Sequence, residues 1–156
     1  MLHASIIIAS NKGYTGERDE VCAPIIYDCL QKNGLNVLET KIVPNDKTAL
    51  SQELGRSVDI GANLIITSGG TGLSKRDVTP EATLDVIQKS VPGISEAIRA
   101  HSEHAMLSCG VTGICSNCLI VNLPGNPKAV AEIMDYILPH LIHAIETMLG
   151  ITGEYD

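Results

Sequence analysis

Aromatic residues are nearly missing from this 156-residue chain, which has four tyrosines, no phenylalanine and no tryptophan. Proteins that hold single-stranded nucleic acid stack its bases on aromatic side chains, so this composition nearly excludes that function. The core must be aliphatic instead, because hydrophobic residues still make up 44% of the chain. A chain of this length buries roughly 70% of the surface that its unfolded form exposes, so we expect a single domain over residues 1–156.

Positive charge is also scarce, since 11 basic residues stand against 18 acidic ones and the net charge is −7. Nucleic-acid binding needs basic side chains that displace counterions, so we expect no nucleic-acid partner. The apolar run Ile6–Ala9 is far shorter than a signal-peptide core or a membrane span. Five cysteines, an odd number, argue against a secreted disulfide framework. We therefore expect a cytoplasmic protein with no membrane partner.

Short aliphatic strands alternate with helical segments along the chain. Strands are predicted over Ala4–Ala9, Asn36–Val43, Ala62–Thr67 and Cys118–Asn122, and an ambiguous, extended segment over residues 108–113. Helices are predicted over Asp19–Gln31, Lys47–Val58, Thr79–Lys89, Ile94–Ala105 and Lys128–Leu149, with Asp46, Thr79 and Asn126 as N-caps. This alternation predicts an α/β fold with a three-layer, doubly wound, mostly parallel sheet.

A polar segment directly follows each of the four predicted strands. These segments are Ser10–Arg18, Pro44–Asp46, Ser68–Asp77 and Leu123–Asn126. In doubly wound sheets, ligands bind outside the carboxyl ends of the strands. We therefore expect these four segments to meet at one edge of the sheet and to form a binding site. Ordinary loops are rich in the same residue types, so a set of unrelated turns is the alternative.

The sharpest motif is Thr67–Gly72, in which three glycines occupy four positions. Successive backbone N–H groups can converge there on an anion, which indicates a phosphate or carboxylate ligand. The motif is neither a Walker A loop nor a dinucleotide fingerprint, because the required glycine and lysine spacings are missing. The basic pair Lys75 and Arg76 follows it and suits a polyanionic ligand. A plain tight turn is the alternative.

Two carboxylates lie in the same predicted loops. Asp46 and Asp77 each precede a helix, so each could cap that helix or bind a divalent cation beside bound phosphates. The residues alone do not decide between these roles.

The pair Cys115 and Cys118 invites a redox or metal interpretation. If the segment is extended, residues three apart lie about 10 Å from each other on opposite faces, which exceeds disulfide reach. No second Cys or His pair has zinc-site spacing relative to this one, so structural zinc is improbable.

Taken together, Ser68–Gly72, Lys75–Thr83, Val91–Gly93 and Asn122–Ala129 resemble the MogA/MoaB family, the molybdopterin-binding group that includes the gephyrin G-domain. The resemblance covers essentially the whole chain, and its motifs stand in the family's order. It implies the adenylylation of molybdopterin by ATP with Mg²⁺, which releases pyrophosphate. It also implies a homotrimer or a hexamer, and hand-over of the product to a molybdenum insertase.

The resemblance carries roles onto particular residues. It assigns Asp46 and Asp77 to Mg²⁺ binding and catalysis. The predicted substrate- and nucleotide-binding residues, which include the basic pair, are Ser10, Ser68, Gly69, Gly70, Thr71, Gly72, Lys75, Arg76, Ser108, Pro124, Gly125, Asn126 and Pro127.

The chain departs from the family pattern at three positions. Asn11 stands where relatives commonly have Asp, and Cys109 and Cys115 stand where relatives often have Arg. Fewer cations near a polyanionic ligand favour a second hypothesis, a non-catalytic pterin-binding or scaffold protein of the MoaB type. A generic nucleotide-binding module is the third hypothesis.

Overall fold

The computed structural model of the chain describes residues 1–151, apart from the side chain of His104. Its strands are His3–Ala9 (β1), Asn36–Val43 (β2), Leu64–Ser68 (β3), Lys89–Ser90 (β4), Thr112–Cys115 (β5) and Cys118–Leu123 (β6). Its helices are Asn11–Thr15 (α1), Cys22–Lys32 (α2), Lys47–Asp59 (α3), Thr79–Leu84 (α4), Pro92–His101 (α5) and Pro127–Met148 (α6), with a 3₁₀ helix over Glu103–Leu107.

The strands form one six-stranded sheet in the order β2-β1-β3-β6-β5-β4. The four strands β2, β1, β3 and β6 run parallel to one another, whereas β5 is antiparallel to both of its neighbours. The carboxyl ends of the four parallel strands therefore lie at the same edge of the sheet.

Alternation along the central strands divides the core between two faces. In β1, Ile6 and Ile8 pack with α2 and α6 on one face, whereas Ile7 packs with α3 and α4 on the other. Both faces of the central strands are thus buried beneath helices, which explains their unbroken aliphatic sequences. The predicted three-layer, mostly parallel α/β fold is confirmed. Among residues 1–151, no helix combines the length and the apolar character needed to cross a membrane.

Two of the three predicted N-caps are confirmed. The Asp46 carboxylate accepts a hydrogen bond from Ala49 N–H at 2.8 Å, and Asn126 Oδ1 accepts one from Ala129 N–H at 3.1 Å. Thr79 is instead the first residue of α4, whose N-cap position is occupied by Val78 without a side-chain hydrogen bond.

The first predicted helix begins later than expected. It starts at Cys22 rather than Asp19, because Glu20 lies outside the helix and accepts hydrogen bonds from the N–H groups of Cys22 and Ala23. The loop predicted over Ser10–Arg18 contains the short helix α1, which Ser10 caps by accepting a hydrogen bond from Gly13 N–H.

The region after the glycine motif is more broken than predicted. Helix α4 ends at Leu84 rather than Lys89, because Lys89 and Ser90 pair as β4 with Ile114 and Gly113. Helix α5 ends at His101, and the 3₁₀ helix replaces the rest of the predicted helix. The prediction that Cys115 and Cys118 lie far apart is wrong: they are opposed residues at the end of the β5–β6 hairpin.

Candidate functional site

The four segments that follow the parallel strands are joined by hydrogen bonds at one edge of the sheet. Ser10 N–H donates to Val43 O at 2.9 Å, which links the ends of β1 and β2. Gly69 N–H donates to Leu123 O at 3.1 Å, which links the ends of β3 and β6. Hydrogen bonds thus join the segments in two pairs, and the pairs lie side by side because β1 neighbours β3 in the sheet.

The glycine loop, Ser68–Gly72, requires glycine for both conformation and space. Gly69 and Gly70 have φ values of 91° and 70°, which side chains rarely adopt. A Cβ on Gly69 would lie 2.5 Å from Ala9 O, and one on Gly70 would lie 2.2 Å from Thr79 Oγ1. The loop thus lies against β1 and α4.

A second loop, Leu123–Pro127, packs directly against the glycine loop. Ser68 Oγ donates to Pro124 O at 2.8 Å. A Cβ on Gly125 would lie 3.4 Å from Gly69 Cα, so the two backbones approach closely. The predicted association of these two loops is present in the fold.

A cavity of about 370 Å³, here called the nest cavity, opens between the glycine loop and the second loop. It is lined by Gly69, Gly70, Thr71, Gly72, Asp77, Leu107, Ser108, Pro124, Gly125 and Asn126. Asp77 is half-buried, and its Oδ2 accepts hydrogen bonds from Ser74 N–H at 3.0 Å and from Ser74 Oγ at 2.7 Å. Ser74 thus holds the one carboxylate in this lining at the rim of the cavity.

The α6 cavity, of about 460 Å³, adjoins the nest cavity. It is lined by His101, Ser102, Glu103, Ala105, Ser108, Pro124, Asn126, Lys128, Ala129 and Glu132. The two cavities share Ser108, Pro124 and Asn126. The edge of the sheet therefore offers two connected spaces, one walled by backbone amides and the other by charged side chains.

A third space, the Ser10 cavity of about 310 Å³, lies on the other side of Gly125. The predicted binding residues Ser10, Ser68 and Pro127 line this cavity rather than the nest cavity. Cys22 also lines it and donates from Sγ to Gly125 O at 3.3 Å. Burial raises the pKa of the Cys22 thiol, which keeps it protonated as a donor that supports the second loop.

The structure does not bring Asp46 into these cavities. Asp46 is exposed, its Oδ2 caps α3, and it lines none of the three. Lys75 and Arg76 are also exposed and line none of them.

Two residues that are not among the predicted binding residues face the glycine loop. Asn45 Oδ1 and Thr79 Oγ1 are buried, and neither has a hydrogen-bond partner among the described residues. A Cβ on Gly70 would meet both atoms, at 3.2 Å and 2.2 Å. Asn11 Oδ1 holds Asn45 in place by accepting from its N–H at 2.7 Å. Asn45 lies in the predicted site segment Pro44–Asp46, and Thr79 lies in the motif Lys75–Thr83, but neither has a predicted binding role.

Mg²⁺ is bound through one or two carboxylates together with substrate phosphates, and Asp77 is the carboxylate that lines the nest cavity, whereas Asn45 and Thr79 line none of the three cavities. Among the residues that the structure describes, no three His, Cys, Asp or Glu side chains are grouped as a metal cluster. The residues present therefore fit a cation that is shared with substrate oxygens, rather than one held by a dedicated protein cage.

The Ser108 loop, residues 108–111, contributes Ser108 to the lining of both cavities. Arg99 Nη1 donates to Ser108 O at 3.3 Å and to Gly110 O at 2.9 Å. Cys109 N–H donates to Thr71 O at 2.7 Å, which ties this loop to the glycine loop. Arg99 is thus a supporting residue that the sequence did not reveal, since its partners are backbone atoms.

The buried residue Asn122 joins the same region from beneath. Its Nδ2 donates to Thr67 Oγ1 and Thr83 Oγ1, both at 3.0 Å, and its Oδ1 accepts from Val111 N–H at 3.1 Å. One side chain therefore connects β3, α4 and the Ser108 loop.

The two cysteines that replace arginine lie in different places. Cys109 is exposed in the Ser108 loop, beside the nest cavity. Cys115 lies at the tip of the β5–β6 hairpin, at the end of β6 opposite the site. Five residue steps along β6 separate that tip from Leu123, roughly 17 Å. Of the two positions at which the resemblance implies arginine, only that of Cys109 lies beside the nest cavity.

Comparison with known proteins places these features in one family. The family model described as a probable molybdopterin binding domain matches residues 5–143. The molybdopterin adenylyltransferase of Helicobacter pylori strain J99 is 33% identical over 156 residues, which covers 96% of this chain and 89% of that protein. The molybdopterin adenylyltransferase of Escherichia coli strain K12 is 42% identical over 103 residues, which covers 63% of this chain and 53% of that protein.

A solved structure has the same fold along nearly its whole length. The crystal structure of the molybdopterin biosynthesis enzyme MoaB from Thermus thermophilus superimposes with a TM-score of 0.91 at 37% identity. The match covers 96% of this chain and 98% of that one.

Proposed function

Since the chain belongs to the family of probable molybdopterin binding domains, we propose that it is an adenylyltransferase that acts on molybdopterin in molybdenum cofactor biosynthesis. The reaction joins the terminal phosphate of molybdopterin to the α-phosphorus of ATP. The new bond is between a phosphate oxygen and that phosphorus, and the bond to the β-phosphate breaks. Pyrophosphate leaves with the electron pair of the broken bond.

The observation that carries this proposal is the pair of connected cavities at the glycine loop. A transfer between two anions needs no general base, because the attacking phosphate oxygen is already ionised. The barrier lies in bringing two polyanions together, so positioning and charge neutralisation must supply the catalysis. The backbone N–H groups of Gly70, Thr71 and Gly72 are suited to phosphates, whereas that of Gly69 is already bonded to Leu123 O, and the adjoining α6 cavity gives space to a second substrate.

The proposed roles follow the placement of the side chains. Asp77, the carboxylate that lines the nest cavity, is proposed to bind Mg²⁺ beside the phosphates. When bound, Mg²⁺ would neutralise charge on the phosphate oxygens. We propose that Asp46 contributes less than Asp77 to Mg²⁺ binding, because one of its carboxylate oxygens caps α3. Ser108 and Asn126 lie where the cavities meet and are proposed to contact both substrates.

The other predicted binding residues keep proposed roles of a different kind. Lys75 and Arg76 are exposed, and we propose that they attract polyanionic substrates by charge rather than by contact in the cavity. Ser10, Ser68 and Pro127 are proposed to bind ligand atoms that extend into the Ser10 cavity.

We also propose the assembly and surroundings that the resemblance implies. These are one molybdopterin-binding domain over residues 1–156, a homotrimer with a hexamer as the alternative, and hand-over of the product to a molybdenum insertase. A cytoplasmic location is supported by five cysteines that are all unpaired.

Purified protein supplied with molybdopterin, ATP and Mg²⁺ is expected to form adenylyl-molybdopterin and one pyrophosphate per product. Omission of Mg²⁺ is expected to abolish both products. Pyrophosphate formed without adenylylated pterin would indicate simple ATP hydrolysis and would contradict the proposal.

The second candidate, a pterin-binding or scaffold protein without transferase activity, is favoured by Cys109 beside the nest cavity in place of a cation. Titration calorimetry separates the candidates. A transferase is expected to bind molybdopterin and also to bind ATP when Mg²⁺ is present. A scaffold protein is expected to bind molybdopterin alone.

A further inference from the structure

Two cysteines face each other at the closed end of the β5–β6 hairpin. Cys115 ends β5, Cys118 begins β6, and the two are paired in the antiparallel register. Only Ser116 and Asn117 separate them, and Ser116 has a φ of 53°, which lets the chain reverse direction. The turn is held from outside, since Ser116 N–H donates to Gln88 Oε1 at 2.9 Å.

The side chains of Cys115 and Cys118 lie on the same face of the sheet. Both pack with the core cluster on the side of α3 and α4, which includes Ile120. Opposed residues in a hydrogen-bonded antiparallel pair have Cα atoms about 5.5 Å apart, and Cα separations in disulfides run from about 4.4 to 6.8 Å. The hairpin therefore already has the backbone spacing that a disulfide requires.

The two thiols differ in access to solvent. Cys115 is half-buried, whereas Cys118 is fully buried. Burial, and secondly the nearby Cys115, raise the pKa of the Cys118 thiol to about 12. A small oxidant therefore reaches Cys115 first, and Cys118 reacts only with a sulfur that is already beside it.

We propose that Cys115 and Cys118 form a reversible redox site that exchanges with low-molecular-weight disulfides such as glutathione disulfide. The Cys115 thiolate attacks one sulfur of the small disulfide, which gives a mixed disulfide and releases one small thiolate. The Cys118 thiolate then attacks the Cys115 sulfur and releases the second. Two protein thiols are oxidised, one small disulfide is reduced to two thiols, and the two thiol protons pass to the leaving thiolates.

The remaining cysteines serve as internal references. Cys109 is exposed and lies in the Ser108 loop, so it reports whether the oxidant is active. Cys29 is half-buried on α2, and its Sγ faces Asp135 at 3.9 Å rather than another thiol. These positions separate general thiol oxidation from formation of the proposed disulfide.

The test uses the whole folded chain. Protein is incubated with glutathione disulfide, the remaining thiols are alkylated, and each cysteine is assigned by mass spectrometry. We expect Cys115 and Cys118 to become protected together without attached glutathione, with the loss of two hydrogens from their peptide, and dithiothreitol to restore both. If Cys115 stays alkylated while Cys109 is modified, or if Cys115 retains glutathione, the proposal is overturned.

Two variants test the order of the steps. In Cys118→Ala, the mixed disulfide at Cys115 is expected to persist at least tenfold longer than in the unmodified chain, because no second thiol resolves it. In Cys115→Ser, which changes only a half-buried side chain, Cys118 is expected to remain reduced. Cys29→Ser is the matched control and should behave like the unmodified chain. Oxidation of Cys118 in Cys115→Ser at the original rate would contradict the proposal.

Discussion

The parallel and antiparallel halves of the sheet are held together by different forces. In the parallel half, β1, β3 and β6 bury aliphatic side chains on both faces, and Ile66 at the centre is fully buried. In the antiparallel half, β4 and β5 are short, and hydrogen bonds add to the apolar packing of Ile114 and Cys115. Ser95 and Thr112 share a hydrogen bond of 2.8 Å, and Gln88 N–H donates to Ile114 O at 2.7 Å.

This difference divides the proposed site between a rigid part and a part held by a few hydrogen bonds. The glycine loop and the second loop leave β3 and β6, so the main core fixes their positions. The Ser108 loop precedes β5 and is held by Arg99 and Asn122. Damage to the parallel half should therefore unfold the protein, whereas damage to the antiparallel half should change the site locally.

The largest effect is expected from Ile66→Ala in the parallel half. Loss of a fully buried isoleucine leaves a cavity, and the free energy of unfolding should fall by about 4 kcal/mol. Chemical denaturation measures this change. Ile60→Ala is the control, because Ile60 is 46% exposed at the end of α3 and its loss should cost less than about 1 kcal/mol. Equal losses in the two variants would contradict the assignment of the core.

Gly70→Ala should cost about 3 kcal/mol of folding free energy, because the new Cβ would overlap Thr79 Oγ1 at a positive φ. ATP binding should weaken with it, as measured by calorimetry. Gly55→Ala is the matched control: it lies within α3 with nothing within 4 Å of a Cβ, so it should stabilise by about 0.5–1 kcal/mol. If Gly70→Ala and Gly55→Ala changed the folding free energy equally, the requirement for glycine at position 70 would be contradicted.

Asp77→Asn should lower turnover by about 10²-fold or more while molybdopterin binding stays measurable, because a charge needed at the transferring phosphate is lost. The amide oxygen can still accept the hydrogen bonds from Ser74, so the loop should keep its shape. Steady-state kinetics and pterin titration together test this. A parallel loss of binding and turnover would contradict the proposed role of Asp77 in binding Mg²⁺.

In the antiparallel half, Arg99→Gln should cost about 1–2 kcal/mol of folding free energy, since two carbonyls of the Ser108 loop lose their donor. KM should rise more than kcat falls, because Arg99 holds a wall of the site and touches no substrate. Lys32→Gln, an exposed substitution on α2, is the control and should stay within about 0.5 kcal/mol. An unchanged KM for Arg99→Gln would show that the Ser108 loop does not depend on this residue.

The smallest effect is expected from Asp46→Asn. Asparagine caps a helix as well as aspartate does, so stability should stay within about 0.5 kcal/mol. Turnover should fall by about fivefold at most, because the lost charge is exposed and lines none of the three cavities. A loss as large as that of Asp77→Asn would instead place Asp46 among the main metal ligands.

Much of the parallel half could be predicted from the sequence, because long aliphatic runs and helix caps are local signals. The strand Asn36–Val43 and the caps Asp46 and Asn126 have the predicted positions. The strand Lys89–Ser90 could not be predicted, because two residues show no periodicity and pair only through β5.

The site divides in the same way. Glycines at positive φ were recognisable in Ser68–Gly72, since their spacing is a property of the sequence. That Asn45 and Thr79 face Gly70 depends on three distant segments packing together. The opposition of Cys115 and Cys118 depends on a single residue, Ser116, that adopts an unusual φ.

The most direct test is a crystal structure of the protein with molybdopterin, Mg²⁺ and an ATP analogue that cannot transfer its adenylyl group. Phosphate oxygens are expected within about 3 Å of the backbone nitrogens of Gly70, Thr71 and Gly72, with the second substrate in the α6 cavity. Phosphates bound at another face of the molecule, with no ligand contact to the glycine loop, would contradict the proposed phosphate site.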